Sequence, residues 1–360
     1  MNYFFQRIIK RQARVYFFLF LLLVFLSESS QQCNLFGNSI YNSQIRLDSN
    51  RSVDVYRTKN AGNDYKSSIS KLVAAAESKG SIRLDPKIIK KICLKIESKL
   101  APGLCISKRF IDGILDFLIG RGYGRDSVYL VDRDFSGFMS IGLVSRNSNM
   151  KLYRGFRIIS SMDSNYFSSS WFHDSSMPPV LHDRIKLFNN FPENLSKRLE
   201  EERKSYLPSI LFLNDYFWLN IAVLKDHVNL GVDAASANVT TGAISNHKRF
   251  LKNQTLATAA VTEILAIPEF WAKRTYSIID LSKYQYANGG QFDASFLGSE
   301  DTILLSDNPV SLDFYGLKVL SRARGKSGFS QRDPNKLLLF KYAKELGLGD
   351  SIKAKIFDIK

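Results

Sequence analysis

Cysteine is scarce in this chain: three in 360 residues, at positions 33, 93 and 105. Three scattered thiols cannot supply the clustered ligands of an iron–sulfur centre or a cysteine-rich zinc site, so both are excluded. In an oxidising compartment Cys93 and Cys105 can pair and leave Cys33 over; otherwise they are two buried thiols. Histidine is nearly as rare, with four copies. No Gly-x-Ser-x-Gly elbow, His-Glu-x-x-His helix or phosphate loop occurs, which removes the common serine-hydrolase, metalloprotease and nucleotide signatures. No dense Lys/Arg tract or basic–aromatic module appears, so there is no specific nucleic-acid module. Past residue 30 no apolar run is long enough to span a bilayer, leaving membrane contact to the N-terminal segment alone.

What the chain has in excess is positive charge. The formal net charge is +16, and the 46 basic and 33 acidic residues beyond residue 30 still leave about +13. A basic body attracts anionic small molecules or envelope polyanions; the plainer reading is a compositional bias toward lysine. Apolar content of 45% and charged content of 23% are those of a globular protein with a real core. At the start, Arg7, Lys10, Arg11 and Arg14 precede the apolar run Val15–Leu26, and Ser27-Glu-Ser-Ser30 follows. This is the layout of a secretory signal. Cleavage after the small serines, an uncleaved signal anchor and a lipid anchor on Cys33 stay open. The expected setting is extracytoplasmic, with residues 1–29 as signal or anchor.

Residues 30–65 show no sustained period and read as an irregular lead-in, with one α/β domain over 66–360. Helices are expected at 68–79, 107–119, 255–265, 309–320 and 335–346, and strands at 89–96, 128–132, 216–224, 276–281 and 302–305. Residues 145–180 read as loops, and 183–206 as partly helical, broken near Pro192. Strands alternating with helices predict a layered α/β fold, a mixed or mostly parallel sheet with helices on both faces. Gly120-x-Gly122-x-Gly124 is not a dinucleotide fingerprint. That motif needs strand, glycines, helix, and here the order is helix, glycines, strand.

Chemistry concentrates between residues 216 and 313. Lys225 and His227 follow the strongest apolar strand, and period-2 alternation puts both on one side of the chain. A lysine and an imidazole there suit an anionic ligand or proton transfer, with the histidine as acid or base; a surface lysine and a strand-end histidine are the plain alternative. Asp307 and Asp313 flank the Pro309 helix start, where Asp307 can cap the helix. The two carboxylates can instead hold a hard cation or orient the histidine. Asp132 and Asp280 each end a buried strand. His247 sits among basic residues.

These positions resemble the family called domain of unknown function 362, found in bacteria and archaea, over about Lys95 to Arg324. The markers are Lys95 after its strand, Ser107-Lys-Arg-Phe110, Arg121-Gly-Tyr, Val128-Tyr-Leu-Val-Asp132, Lys225-Asp-His227, Asn238, His247, Asp280 and Asp307-Asn-Pro-Val-Ser-Leu-Asp313. Ala237 replaces the lysine of the family's Lys-Asn pair, and the ferredoxin-like cysteines of many relatives are absent. The resemblance implies an α/β core with Lys225, His227, Asn238, Asp280, Asp307 and Asp313 around one cleft. The expectations are therefore catalytic roles for Lys225, His227 and Asp313, ligand binding by Lys95, Asn238 and His247, and a divalent cation on Asp280 and Asp307. The function expected is an enzyme acting on an anionic small molecule. The alternatives are a non-catalytic anion-binding module or a basic envelope-associated protein.

Overall fold

The structure, a computed structural model, describes residues 53–60, 64–145, 151–174, 195–212, 216–271 and 275–360. All of them fall within one unit, Asp48–Lys360. The expected signal segment, Cys33 and residues 183–194 lie outside the described residues.

The strands are β1 (Val55–Lys59), β2 (Lys91–Ile96), β3 (Val128–Val131), β4 (Leu152–Tyr153), β5 (Phe156–Ile159), β6 (Phe167–Asp174), β7 (Lys204–Pro208), β8 (Tyr216–Ala222), β9 (Lys225–His227), β10 (Gly231–Asp233), β11 (Thr275–Asp280), β12 (Tyr284–Gln285), β13 (Leu297–Gly298), β14 (Thr302–Ser306) and β15 (Ile356–Ile359). Nine of them form a central sheet in the order β15-β1-β14-β11-β8-β2-β3-β5-β4. Its middle, β11-β8-β2-β3-β5, is parallel throughout. β14 runs antiparallel to both neighbours, and β4 antiparallel to β5. A small sheet, β10-β9-β12-β13, and the β6-β7 pair complete the strands. The fold is α/β with a mixed, mostly parallel sheet, as the alternation of elements predicts.

Side-chain alternation assigns the faces. Ile92, Leu94 and Ile96 of β2 and Phe217, Leu219 and Ile221 of β8 join one buried cluster with Ile69 and Leu72 of the Tyr65–Ser78 helix and Phe110 and Ile114 of the Lys108–Gly120 helix. The intervening Asn220 points the other way, where its Nδ2 donates to Ala235 O (2.8 Å) at the Ala235–Val239 helix. Helices therefore cover both faces. Ser107 caps the Lys108–Gly120 helix by accepting from Phe110 N. Gly122, at φ +92°, then turns the chain toward β3, which is the helix-ending role its order of elements requires.

Three expectations need correction. β1 lies inside the stretch taken as irregular lead-in; five residues that include Arg57 and Lys59 give too little apolar text to read as a strand, yet Val55 and Tyr56 are buried in the sheet. Residues 145–180 are not all loop: β4, β5 and β6 fall there, and β5 is part of the central sheet. The last helix is shorter than expected, Leu338–Glu345, after a 3-10 turn at Pro334–Lys336. Cys93 and Cys105 are not joined to each other; Cys93 is buried in β2.

Chain order fixes where a site belongs. From β2 the chain moves to β3 and β5 on one side, then returns to β8 on the other side of β2. The boundary between β2 and β8 is the topological switch point of the parallel strands. Loops leaving their carboxyl ends in opposite directions open a crevice there.

Candidate functional site

A narrow cleft of about 30 Å³ lies at that switch point, lined by residues that follow β2 (Glu97, Ser98, Lys99), residues that follow β3 (Asp132, Arg133, Asp134), and Asp233, Asn238, Thr241 and His247. Three groups of interactions build it.

The first runs under the cleft floor. The buried Lys95 Nζ donates to Asp132 Oδ1 (2.8 Å), Asn238 Oδ1 (2.7 Å) and Ile96 O (3.1 Å). All three ammonium donors are thereby used. Asn238 Nδ2 donates to Asn220 Oδ1 (2.7 Å), and Asn220 Nδ2 reaches Ser277 Oγ (3.0 Å). Asp132 also accepts from Arg133 N and from both the amide and hydroxyl of Ser98. The chain crosses β3, β2, β8 and β11 and locks their registers together with polar groups.

The second is a buried charge cluster. Lys225 Nζ lies between Glu97 Oε1 and Asp233 Oδ1, the latter at 3.2 Å. The other Glu97 oxygen accepts from Val223 N (2.9 Å), and Lys99 Nζ stands 3.6 Å from Asp233 Oδ2. Burial works against the Lys225 charge, but Asp233 and Glu97 outweigh it and raise its pKa. The two carboxylates diverge. Burial raises Glu97 in spite of Lys225, whereas Asp233, though burial opposes it, is held below the ordinary range by Lys225 and Lys99. The three groups titrate as one unit.

The third is Arg133. Its guanidinium is 2.7 Å from His247 Nδ1 and 3.0 Å from Asp134 Oδ2. Arginine can only donate, so Nδ1 accepts and His247 is the Nε2–H tautomer. Burial, and then the Arg133 charge, push its pKa down to about 3. His247 therefore presents a neutral N–H donor to the cleft.

The expected site residues divide. Lys95, Asn238 and His247 belong to the cleft or its floor, and Lys225 meets it through Glu97 and Asp233. His227 does not line it. Its Nδ1 accepts from Asn229 N (3.2 Å) and Leu230 N (3.1 Å), and burial lowers its pKa. The lone pair a general base needs is spent on those amides, so the expected base role is corrected. Asp313 is a structural residue. It is fully buried on the Pro309–Lys326 helix and accepts from Ala235 N (2.6 Å) and Ser236 N (2.9 Å), capping the short helix that carries Asn238. Burial raises its pKa to about 7.

Asp280 and Asp307 cannot share a cation. The register pairs Asp280 with Ile303 and Ser277 with Ser306, which sets them toward opposite ends of β11. Asp280 accepts from Ser282 N and Oγ (2.9 and 2.8 Å), and Asp307 from Ser81 Oγ (3.2 Å). Asn308, not Asp307, caps the Pro309 helix. Among the described residues no group of three or more His, Cys, Asp or Glu is placed to hold a metal ion.

Glu97, Lys99, Arg133 and Asp233 were not foreseen. A signal for two of them was present: Lys95, Glu97 and Lys99 alternate across a strand end, which puts all three on one side. Asn220 inside an otherwise apolar strand marks the polar floor beneath.

Comparison with known families finds none that the sequence matches, and no curated protein matches it. Among solved structures, a Thermotoga maritima protein from a structural genomics programme aligns over 61% of this chain at 12% identity, with a TM-score of 0.34. The chain spans half the length of that protein, 50%.

Proposed function

We propose that the cleft, at about 30 Å³, receives the carboxylate or phosphate group of a small molecule whose remainder lies outside it, and carries out acid–base chemistry there. The observation that carries this reading is the Glu97–Lys225–Asp233 cluster, buried at the switch point of the sheet. Buried charges cost stability unless paired, and replacement by apolar residues is often neutral or better, so clusters of this kind concentrate at functional sites. In the proposed mechanism Lys99, whose side chain is 35% exposed, supplies the charge that meets the anion. His247 Nε2–H donates to an anionic oxygen, and Glu97 takes up and returns the proton. Lys95, Asn238, Asp132 and Lys225 hold these groups in place. The resemblance to the domain of unknown function 362 family enters as a further proposal, for Lys95, Lys225, Asn238 and His247 only. The extracytoplasmic setting is likewise proposed from residues 1–29.

The test is ligand titration by calorimetry against a panel of small carboxylates and phosphate esters, with Lys99→Gln and His247→Gln beside the native protein. A ligand is expected whose affinity falls at least about tenfold in each variant, since a charge-assisted hydrogen bond contributes on the order of 1.5–3 kcal/mol. Binding that both variants retain in full would overturn the assignment.

A further inference from the structure

A second, larger cavity opens at the far edge of the same sheet. It measures about 540 Å³ and is lined by Arg57, Thr58 and Lys59 of β1, Lys71 of the Tyr65–Ser78 helix, Thr302 of β14, and Asp358, Ile359 and Lys360 around β15. β1 lies four strand spacings from β2, roughly 19 Å at about 4.8 Å per strand. The two cavities are therefore separate.

Its charges are unevenly satisfied. Arg57 is committed: Nε and Nη2 fork onto the two Asp358 oxygens, and Nη1 donates to the Tyr315 hydroxyl (2.7 Å). Lys59, Lys71 and Lys360 are exposed and make no ion pair among the described residues. Asp358 thus pairs with the Arg57 guanidinium, and Lys59, Lys71 and Lys360, from separate elements, line the same space. Like charges gathered this way repel unless an anion joins them. The available cations are point charges and not a free guanidinium fork, which suits the dispersed oxygens of phosphate better than a planar carboxylate. A volume of 540 Å³ is that of a small-molecule site and exceeds what one phosphate fills.

We infer that this groove is a second binding site, independent of the switch-point cleft, for an anion carrying two or more phosphate groups. The same chemistry is offered by a soluble polyphosphorylated molecule and by the headgroups of an anionic bilayer.

The probe is inorganic triphosphate, titrated calorimetrically at low and at physiological ionic strength into the native protein, Lys59→Gln/Lys71→Gln and Lys99→Gln. The expected result is a binding event weakened at least tenfold in Lys59→Gln/Lys71→Gln and still present in Lys99→Gln, with all three proteins melting alike. Triphosphate binding that survives Lys59→Gln/Lys71→Gln intact, or no binding at low ionic strength, overturns the inference. Co-sedimentation with vesicles containing phosphatidylglycerol separates the sources. Retention lost in Lys59→Gln/Lys71→Gln points to headgroups, and no retention beside tight triphosphate binding points to a soluble ligand.

Discussion

Lys225 is almost wholly enclosed, and its ammonium is what permits Glu97 and Asp233 to be buried side by side. Lys225→Met keeps most of the volume and removes the charge, leaving two buried carboxylates without a cation. Breaking a buried pair by removing one partner costs about 3–5 kcal/mol, and urea unfolding should register a loss of that size. Replacing Glu97 together with Lys225 should cost less than the sum of the single changes, because the two act as one unit. His247 makes a prediction in pH. Its folded pKa is near 3, below the ordinary value near 6.5. Between these values the unfolded chain takes up a proton that the folded chain refuses. The residue therefore subtracts stability as pH falls from about 6.5 toward 3 and has no such effect above that window. NMR titration should show the ring neutral throughout pH 5–8, and the native protein should lose more stability than His247→Gln between pH 7 and pH 5.

Among elements, the Ala235–Val239 helix is the weak point of the site. It has five residues and carries Asn238, and its first amides are satisfied from another helix by Asp313. Asp313→Ala leaves two buried amides unpaired, at roughly 1–3 kcal/mol each, and should loosen the cleft before it unfolds the sheet. Amide exchange at Ala235–Val239 is the readout, with acceleration expected there and little change in β2 and β8. The pH sign at Asp313 is opposite to that at His247. Its raised pKa adds stability that is complete below about pH 4 and is lost as pH rises through about 7. The helix Pro309–Lys326 shows what could be read from sequence. Pro309 at its start and the apolar spacing were sufficient to place it, but not to choose between Asp307 and Asn308 as cap. Asn308 wins by geometry, accepting from Val310 N and Ser311 N while its Nδ2 holds Leu348 O. Asn308→Ala should cost about 1–2 kcal/mol in thermal or urea unfolding. The long apolar strand β8 was equally legible because seven consecutive residues are buried or nearly so. β1 and β5 were not, because short strands are defined by partners distant in sequence: β1 pairs with β14 and β15, some 250 and 300 residues away.

For the whole molecule, the switch point explains why sequence found part of the site. Lys225 stands out as a polar residue at the end of an apolar run, Lys95 and Asn238 enter through the family resemblance and His247 lies among basic residues, and the fold gathers the four near the carboxyl ends of β2, β3 and β8. Asp280 and Asp307 carried the same local signature. They were misplaced because β14 runs antiparallel to β11, a direction no local pattern encodes. Charge is distributed unevenly in space: four carboxylates and two cations, Lys99 and Arg133, line the cleft, with Lys95 and Lys225 beneath it, whereas the groove at β1 and β15 holds three lysines that make no ion pair among the described residues.

The central claim, that an anionic small molecule occupies the switch-point cleft, is tested most directly by backbone amide shift mapping during titration with the panel of carboxylates and phosphate esters. Saturable shifts are expected, concentrated at Glu97–Lys99, Asp132–Asp134 and Thr241–His247, with the titration midpoint moved at least about tenfold higher in Lys99→Gln. Shifts centred on Asp280 or Asp307, or none at these three loops with any member of the panel, would contradict it.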